Sequence, residues 1–133
     1  MRDYCIILNP AAKAARDKQV AWQLATVARD ARVCLTEAPG HATLLAKQAA
    51  SQGFKTIVAG GGDGTVNEVL QGIVGLDVRL GVLPLGTMNV FARELALPLD
   101  WEDAWARILR GRTRRVDLGH ANGLPIAQLA GVG

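Results

Sequence analysis

The stretch IVAGGGDGTVNEVLQGI, residues 57 to 73, decides the fold. An apolar run passes through three glycines, at 60, 61 and 62, into a segment where Val66, Val69, Leu70 and Ile73 recur at i, i+3, i+4 and i+7. That pattern is a buried strand, a tight turn and an amphipathic helix. A strand that feeds a helix is the repeating unit of a parallel sheet, because parallel neighbours need a crossover between them. One acid, Asp63, stands in the turn, where packing does not ask for it.

Working outward, the same alternation repeats. Tyr4 to Leu8 reads as a strand ended by Asn9-Pro10, and Val20, Leu24, Val27, Ala28 and Ala31 mark a helix within residues 13–31. Arg32 to Leu35 is a second strand, followed by a helix with Ala42, Leu45, Ala46 and Ala49 on one face, closing near Gly53. Thr56 to Ala59 and Arg79 to Leu83 are the third and fourth strands; Met88 to Leu95 forms a short helix. Pro98 breaks the chain, and Asp100 can cap a helix running to about Arg110. The fold class is α/β, an open, mostly parallel sheet with helices on both faces. The tail differs. Val116-Asp-Leu-Gly119, Asn122-Gly123 and Pro125 predict antiparallel β-structure with hairpin turns. A lone hairpin there would have no partner sheet, so residues 1–118 are expected to form one α/β domain and residues 119–133 to begin a β-rich second domain.

Composition narrows the function classes. The chain has 133 residues, half of them apolar, with a net charge of +3, which is too mild to imply nucleic acid by itself. The apolar run at the start, Tyr4 to Leu8, is too short for a signal peptide. No segment approaches the roughly 18 apolar residues of a membrane span. The expected location is cytoplasmic, with Cys5 and Cys34 as reduced core thiols. Arg107, Arg110, Arg112, Arg114 and Arg115 crowd together, either as a solvated helix end and strand start or as a patch for peripheral contact with an anionic membrane. Trp101 and Trp105, four apart, suit core packing or headgroup depth.

Ligands of parallel sheets bind beyond the carboxyl ends of the strands. Gly60 to Gly64 lies there, where glycines permit positive φ and close approach while a helix N-terminus favours anions. Known phosphate fingerprints fail: G-x-G-x-x-G would need glycine at Thr65, and a Walker loop ending at Gly86 would need lysine at Thr87. Thr65 and Glu68 could form a capping box, which would explain both without a ligand. Asp63 stays unexplained unless Mg²⁺ bridges it to phosphates or it accepts a proton from an attacking hydroxyl. A second corner, Leu83-Pro-Leu-Gly86-Thr-Met-Asn89, offers close approach at Gly86, a hydroxyl at Thr87, and at Asn89 a side chain able to bond a base, a sugar or the loop backbone. Together the two corners suggest a nucleotide site.

The residues Gly61-Gly-Asp-Gly-Thr65, Asn67-Glu68 and Leu83-Pro-Leu-Gly-Thr-Met-Asn-Val-Phe-Ala-Arg93 resemble the diacylglycerol kinase catalytic domain family of diacylglycerol, sphingosine and bacterial lipid kinases. Asn9-Pro10, Thr36 and Gly40-His-Ala42 support the likeness over residues 4 to 119. The resemblance implies a site in which Asn9, Pro10 and Lys13 with Thr36 approach ATP. Gly61, Gly62, Asp63, Gly64, Thr65, Val66, Asn67 and Glu68 would surround its phosphates, with Gly86, Thr87 and Asn89 on the second side. Asp63 resembles the acid beside the transferred phosphate and is the expected catalytic residue. Lys13, Arg16 or Lys18 would supply positive charge. Expected partners are ATP with Mg²⁺ and a lipid carrying a free hydroxyl, with no nucleic acid. No metal ligands are assigned within this chain. Three places depart from the pattern: Ala11-Ala12-Lys13 replaces a Ser-Gly pair, Met88 stands where a small residue is common, and Val90 where aspartate often occurs. The family's second, β-rich domain supplies much of the lipid pocket, the general base and a structural metal site. The alternatives are a soluble-substrate kinase of the NAD kinase type and a non-catalytic nucleotide-binding regulatory domain.

Overall fold

A computed structural model describes residues 3–16, 18–118 and 124–131. In chain order the elements are β1 (Tyr4–Leu8), α1 (Lys18–Val27), β2 (Arg32–Leu35), α2 (His41–Ser51), β3 (Thr56–Gly61), α3 (Asp63–Ile73), β4 (Arg79–Pro84), α4 (Val90–Glu94), α5 (Trp101–Leu109), β5 (Thr113–Leu118) and β6 (Leu124–Ala130). The six strands make one sheet in the order β2-β1-β3-β4-β6-β5. All neighbouring pairs are parallel except β5 with β6.

Side chains of a strand alternate between faces, so a sheet covered on both sides needs two cores. Cys5, Ile7, Ile57, Ala59, Leu80 and Val82 face the core built with α2, α3 and α4. Ile6, Leu8, Val58 and Leu83 face the one built with α1 and α5. Helices lie close where glycine allows it. A β-carbon on Gly72 would sit 2.6 Å from the Thr43 carbonyl of α2, and one on Gly81 would sit 2.9 Å from Ile108 of α5. Trp101 and Trp105 are 7% and 3% exposed, and Trp105 meets the Tyr4 ring edge-on at 5.6 Å. Both tryptophans are therefore core residues, not anchors at a membrane interface. Cys5 and Cys34 carry free thiols. Burial pushes the Cys5 thiol up to about 12, helped by the neighbouring Cys34.

Two expectations about elements are corrected. The helix expected within residues 13–31 is shorter at both ends. Ala14–Arg16 form a single 3-10 turn, and α1 spans Lys18–Val27. The backbone ahead of it is drawn into tertiary bonds instead, with the Ala14 N–H donating to the Leu85 carbonyl at 2.9 Å. Val27, expected on the core face, is 51% exposed. The tail hairpin does have a partner sheet: β6 joins β4 through Arg79↔Gln128 and Leu80↔Leu129. β5 and β6 thus extend the α/β sheet itself. The Asn122-Gly123 turn lies outside the described residues.

Candidate functional site

The strand order sets where a ligand can sit. β1 leads through α1 to β2 on one side, and β3 leads through α3 to β4 on the other. Adjacent parallel strands whose connections part in this way leave a crevice at their carboxyl ends. In this chain the crevice is a cleft of about 580 Å³ lined by Asn9, Ala11, Ala12, Lys13, Arg16, Gly62, Gly64, Thr65, Gly86 and Thr87.

The loop after β1 is stitched down at several points. The Asn9 N–H donates to the Gly60 carbonyl at 2.9 Å, and its Oδ1 accepts from the Ala11 N–H at 3.0 Å. The Arg16 Nε donates to the Ala11 carbonyl at 2.9 Å. Asn9 therefore shapes the turn through its own side chain, with alanines where the family pattern has Ser-Gly.

The corner between β3 and α3 is tighter than expected. The helix begins at Asp63, and its N-cap is Gly62, in extended conformation and with no side chain capping it. The capping box is thus overturned: Thr65 lies inside the helix, and the Glu68 carboxylate accepts instead from the Gly40 N–H at 3.0 Å. The reason is tertiary. Glu68 braces the loop entering α2, where the Thr43 hydroxyl also donates to the Glu68 carbonyl at 2.7 Å. The glycines do not supply positive φ either, for among described glycines it occurs at Gly40, Gly53, Gly75, Gly111 and Gly131. Their use is close approach. A β-carbon on Gly61 would lie 2.5 Å from Thr65 Oγ1, whereas one on Gly64 would meet nothing within 4 Å.

The corner between β4 and α4 closes on itself. Asn89 adopts the left-handed region at φ 52°, its Oδ1 accepts from the Gly86 N–H at 3.0 Å, and its Nδ2 donates to the Gly86 carbonyl at 3.1 Å. Of the three partners left open for Asn89, the structure thus shows the loop backbone. Gly86 packs directly on the other corner, where a β-carbon would fall 2.4 Å from Gly62 Cα. Asp63 ties the corners together: Oδ2 accepts from the Val90 N–H at 3.0 Å and Oδ1 from the Phe91 N–H at 2.9 Å.

Of the expected residues, the fold brings Asn9, Lys13, Gly62, Gly64, Thr65, Gly86 and Thr87 to one cleft, together with the expected cation Arg16. The Val66 side chain is buried in the core, and Gly61 sits behind Thr65. Asp63, Glu68 and Asn89 hold loops. Thr36 fixes the neighbouring loop by donating its N–H to the Leu8 carbonyl at 2.9 Å, and Pro10 is exposed beside Asn9. Asn67, in α3, is half-buried and not free. The side chain of Lys18 lies outside the described residues. Ala11 and Ala12, within the Asn9-to-Lys13 loop expected to approach the nucleotide, line the cleft as well.

Comparison with known proteins shows the family. Residues 3–121 match the diacylglycerol kinase catalytic domain, and the chain belongs to that family. Over 101 residues it is 46% identical to a diacylglycerol kinase of Bacillus subtilis (strain 168), covering 74% of this chain and 33% of that protein. Over 100 residues it is 42% identical to a diacylglycerol kinase of Staphylococcus saprophyticus, with 74% and 33% covered. The solved structure of a diacylglycerol kinase from Bacillus anthracis str. Sterne aligns with a TM-score of 0.72 at 29% identity, covering 86% of this chain and 44% of that one. The chain thus spans about a third of the length of the curated relatives it matches. No helix among the described residues is long and apolar enough to cross a membrane.

Proposed function

We propose that this chain is the nucleotide-binding part of an ATP-dependent lipid kinase that moves the γ-phosphate of ATP to a lipid hydroxyl. One observation carries the proposal: an uncapped N-terminus of an eleven-residue helix, α3, opens on a cleft that also holds Lys13 and Arg16. Free amides at a helix start and two cations form an environment for phosphates. The cleft volume falls in the range of small-molecule sites. Phosphoryl transfer asks little covalent chemistry of a protein; positioning and charge neutralisation supply most of the rate. Here Gly64 leaves room for a phosphate, Thr87 offers a hydroxyl from the second corner, and Asn9 sets the shape of the third wall. The acceptor hydroxyl would enter between this domain and a β-rich second domain of the kind the family resemblance implies.

Mg²⁺ belongs to the expected chemistry, and with a nucleotide it takes one or two carboxylates beside phosphate oxygens and water. Among the described residues no group of three or more His, Cys, Asp or Glu could hold a metal. The two acids of the stretch, Asp63 and Glu68, each accept backbone amides. No step is therefore assigned to a protein-held metal.

The exposed Arg110, Arg112, Arg114 and Arg115 support, by charge, a peripheral contact with anionic membrane at the cytoplasmic side. One experiment tests both parts: the intact protein, labelled ATP, and a panel of hydroxyl lipids in vesicles with or without anionic lipid, alongside NAD. Label is expected on a lipid, more so on anionic vesicles. Label on NAD would favour the soluble-substrate alternative, and ATP binding without any transfer would favour the regulatory one.

A further inference from the structure

We infer that Asp63 is a positioning residue, which acts on phosphoryl transfer by holding α4 and the Gly86–Asn89 corner against the first turn of α3; this rests on the nucleotide site proposed above. Its two carboxylate oxygens each accept one amide hydrogen, from Val90 at 3.0 Å and from Phe91 at 2.9 Å. Those are the first two amides of a helix of five residues. So short a helix has few intrahelical bonds and no stability of its own. Its N-cap residue, Asn89, makes no side-chain cap bond, because its amide is turned back onto Gly86. The capping task passes to an acid 27 residues earlier in the chain. A carboxylate at that end is favoured by the amide dipoles, and charge-assisted bonds are the stronger kind.

The consequence reaches the cleft. Gly64 and Thr65, next to Asp63, line one wall, and Gly86 and Thr87, next to Asn89, line another. Phe91 and Ala92 are buried in the core under α3, so α4 has a fixed floor but no other described side chain at its N-terminal amides. Asp63 is thus the side-chain link that, beside the Leu85 N–H bond to the Gly61 carbonyl at 3.0 Å, sets Thr87 relative to the uncapped amides of α3. Because its two oxygens are turned to those amides, the divalent ion of the reaction would rest chiefly on the nucleotide's own phosphates and water.

Asp63→Asn and Asp63→Ala in the intact protein test this assignment. Hydrogen–deuterium exchange of the α4 segment would be followed without nucleotide, and ATP affinity at graded Mg²⁺ would be measured alongside. In Asp63→Ala, exchange at Val90 and Phe91 is expected to speed up about tenfold and ATP affinity to fall by a similar factor. Asp63→Asn keeps one acceptor and should recover part of both. The Mg²⁺ concentration at half-saturation should stay unchanged in both variants. Unaltered α4 exchange in Asp63→Ala would overturn the assignment, and so would an Asp63→Asn protein with normal exchange but a several-fold higher Mg²⁺ requirement. A parent protein that binds no ATP would sink the nucleotide site, and with it the catalytic meaning of the link. The exchange readout, taken without nucleotide, decides separately whether Asp63 holds α4.

Discussion

The two glycine-bearing corners at the carboxyl rim look alike in sequence and differ in what their glycines do. Between β3 and α3 the chain turns with no loop residues beyond Gly62, and the helix starts at Asp63. Between β4 and α4 it takes five residues, closed by Asn89 bonding both backbone groups of Gly86. The corners touch at Gly62 and Gly86, so each glycine there serves the protein's own packing. Gly64 is different. It lines the cleft, and a β-carbon on it would meet nothing within 4 Å beyond its chain neighbours and its own helix backbone. Glycine costs helix stability, so one that packing does not require points to something that approaches from outside.

The largest effect is expected at the contact between the corners. Gly86→Ala would drive a β-carbon to 2.4 Å from Gly62 Cα, which no rotamer can relieve. The backbone must shift, at a cost of about 3 kcal/mol or more. Urea unfolding should show a clearly lowered midpoint, with ATP binding lost as well. An unchanged midpoint would mean that the corners are not in contact. Gly64→Ala should do the reverse. Stability should hold or rise by up to about 1 kcal/mol from helix propensity. ATP affinity should drop about tenfold or more as the added methyl enters the cleft. Calorimetry showing full affinity would remove Gly64 from the binding wall.

Much of this architecture was legible beforehand. β1, β3 and β4 each carry a continuous apolar run, α2 and α3 have clean periodicity, and Asp100 caps α5 by accepting from the Asp103 N–H at 3.3 Å. Such signals are local, and local rules read them. What escaped depends on residues far apart in the chain. The segment from Lys13 to Arg16 could have continued a helix by composition, but Ala14 is bonded to Leu85. Glu68 stands three residues after Thr65, as a capping box requires, yet its partner is Gly40. The tail hairpin reads correctly as antiparallel, whereas its docking on β4 depends on two paired positions that no turn signal announces. For the site, the cleft-lining glycines were legible as a motif. Their reason was not: close approach between two loops can be seen only when both are in place.

The smallest effect is expected at Asn89, and it sharpens the contrast between a corner that packs and a residue that binds. Asn89→Gly accepts the left-handed φ of 52° without strain and deletes both side-chain bonds to Gly86. Two half-buried hydrogen bonds lost, offset by relief of the left-handed backbone, should leave a net destabilisation of about 1 kcal/mol. Because the Asn89 amide is held on Gly86 by both its polar atoms, ATP affinity should stay within about twofold of the parent once stability is allowed for. Equilibrium unfolding and calorimetry on the same preparation separate the two quantities. A drop in affinity far beyond the change in stability would return Asn89 to direct contact with the nucleotide. The β4–α4 corner would then be a binding element in its own right, no longer a self-closed support for the β3–α3 corner.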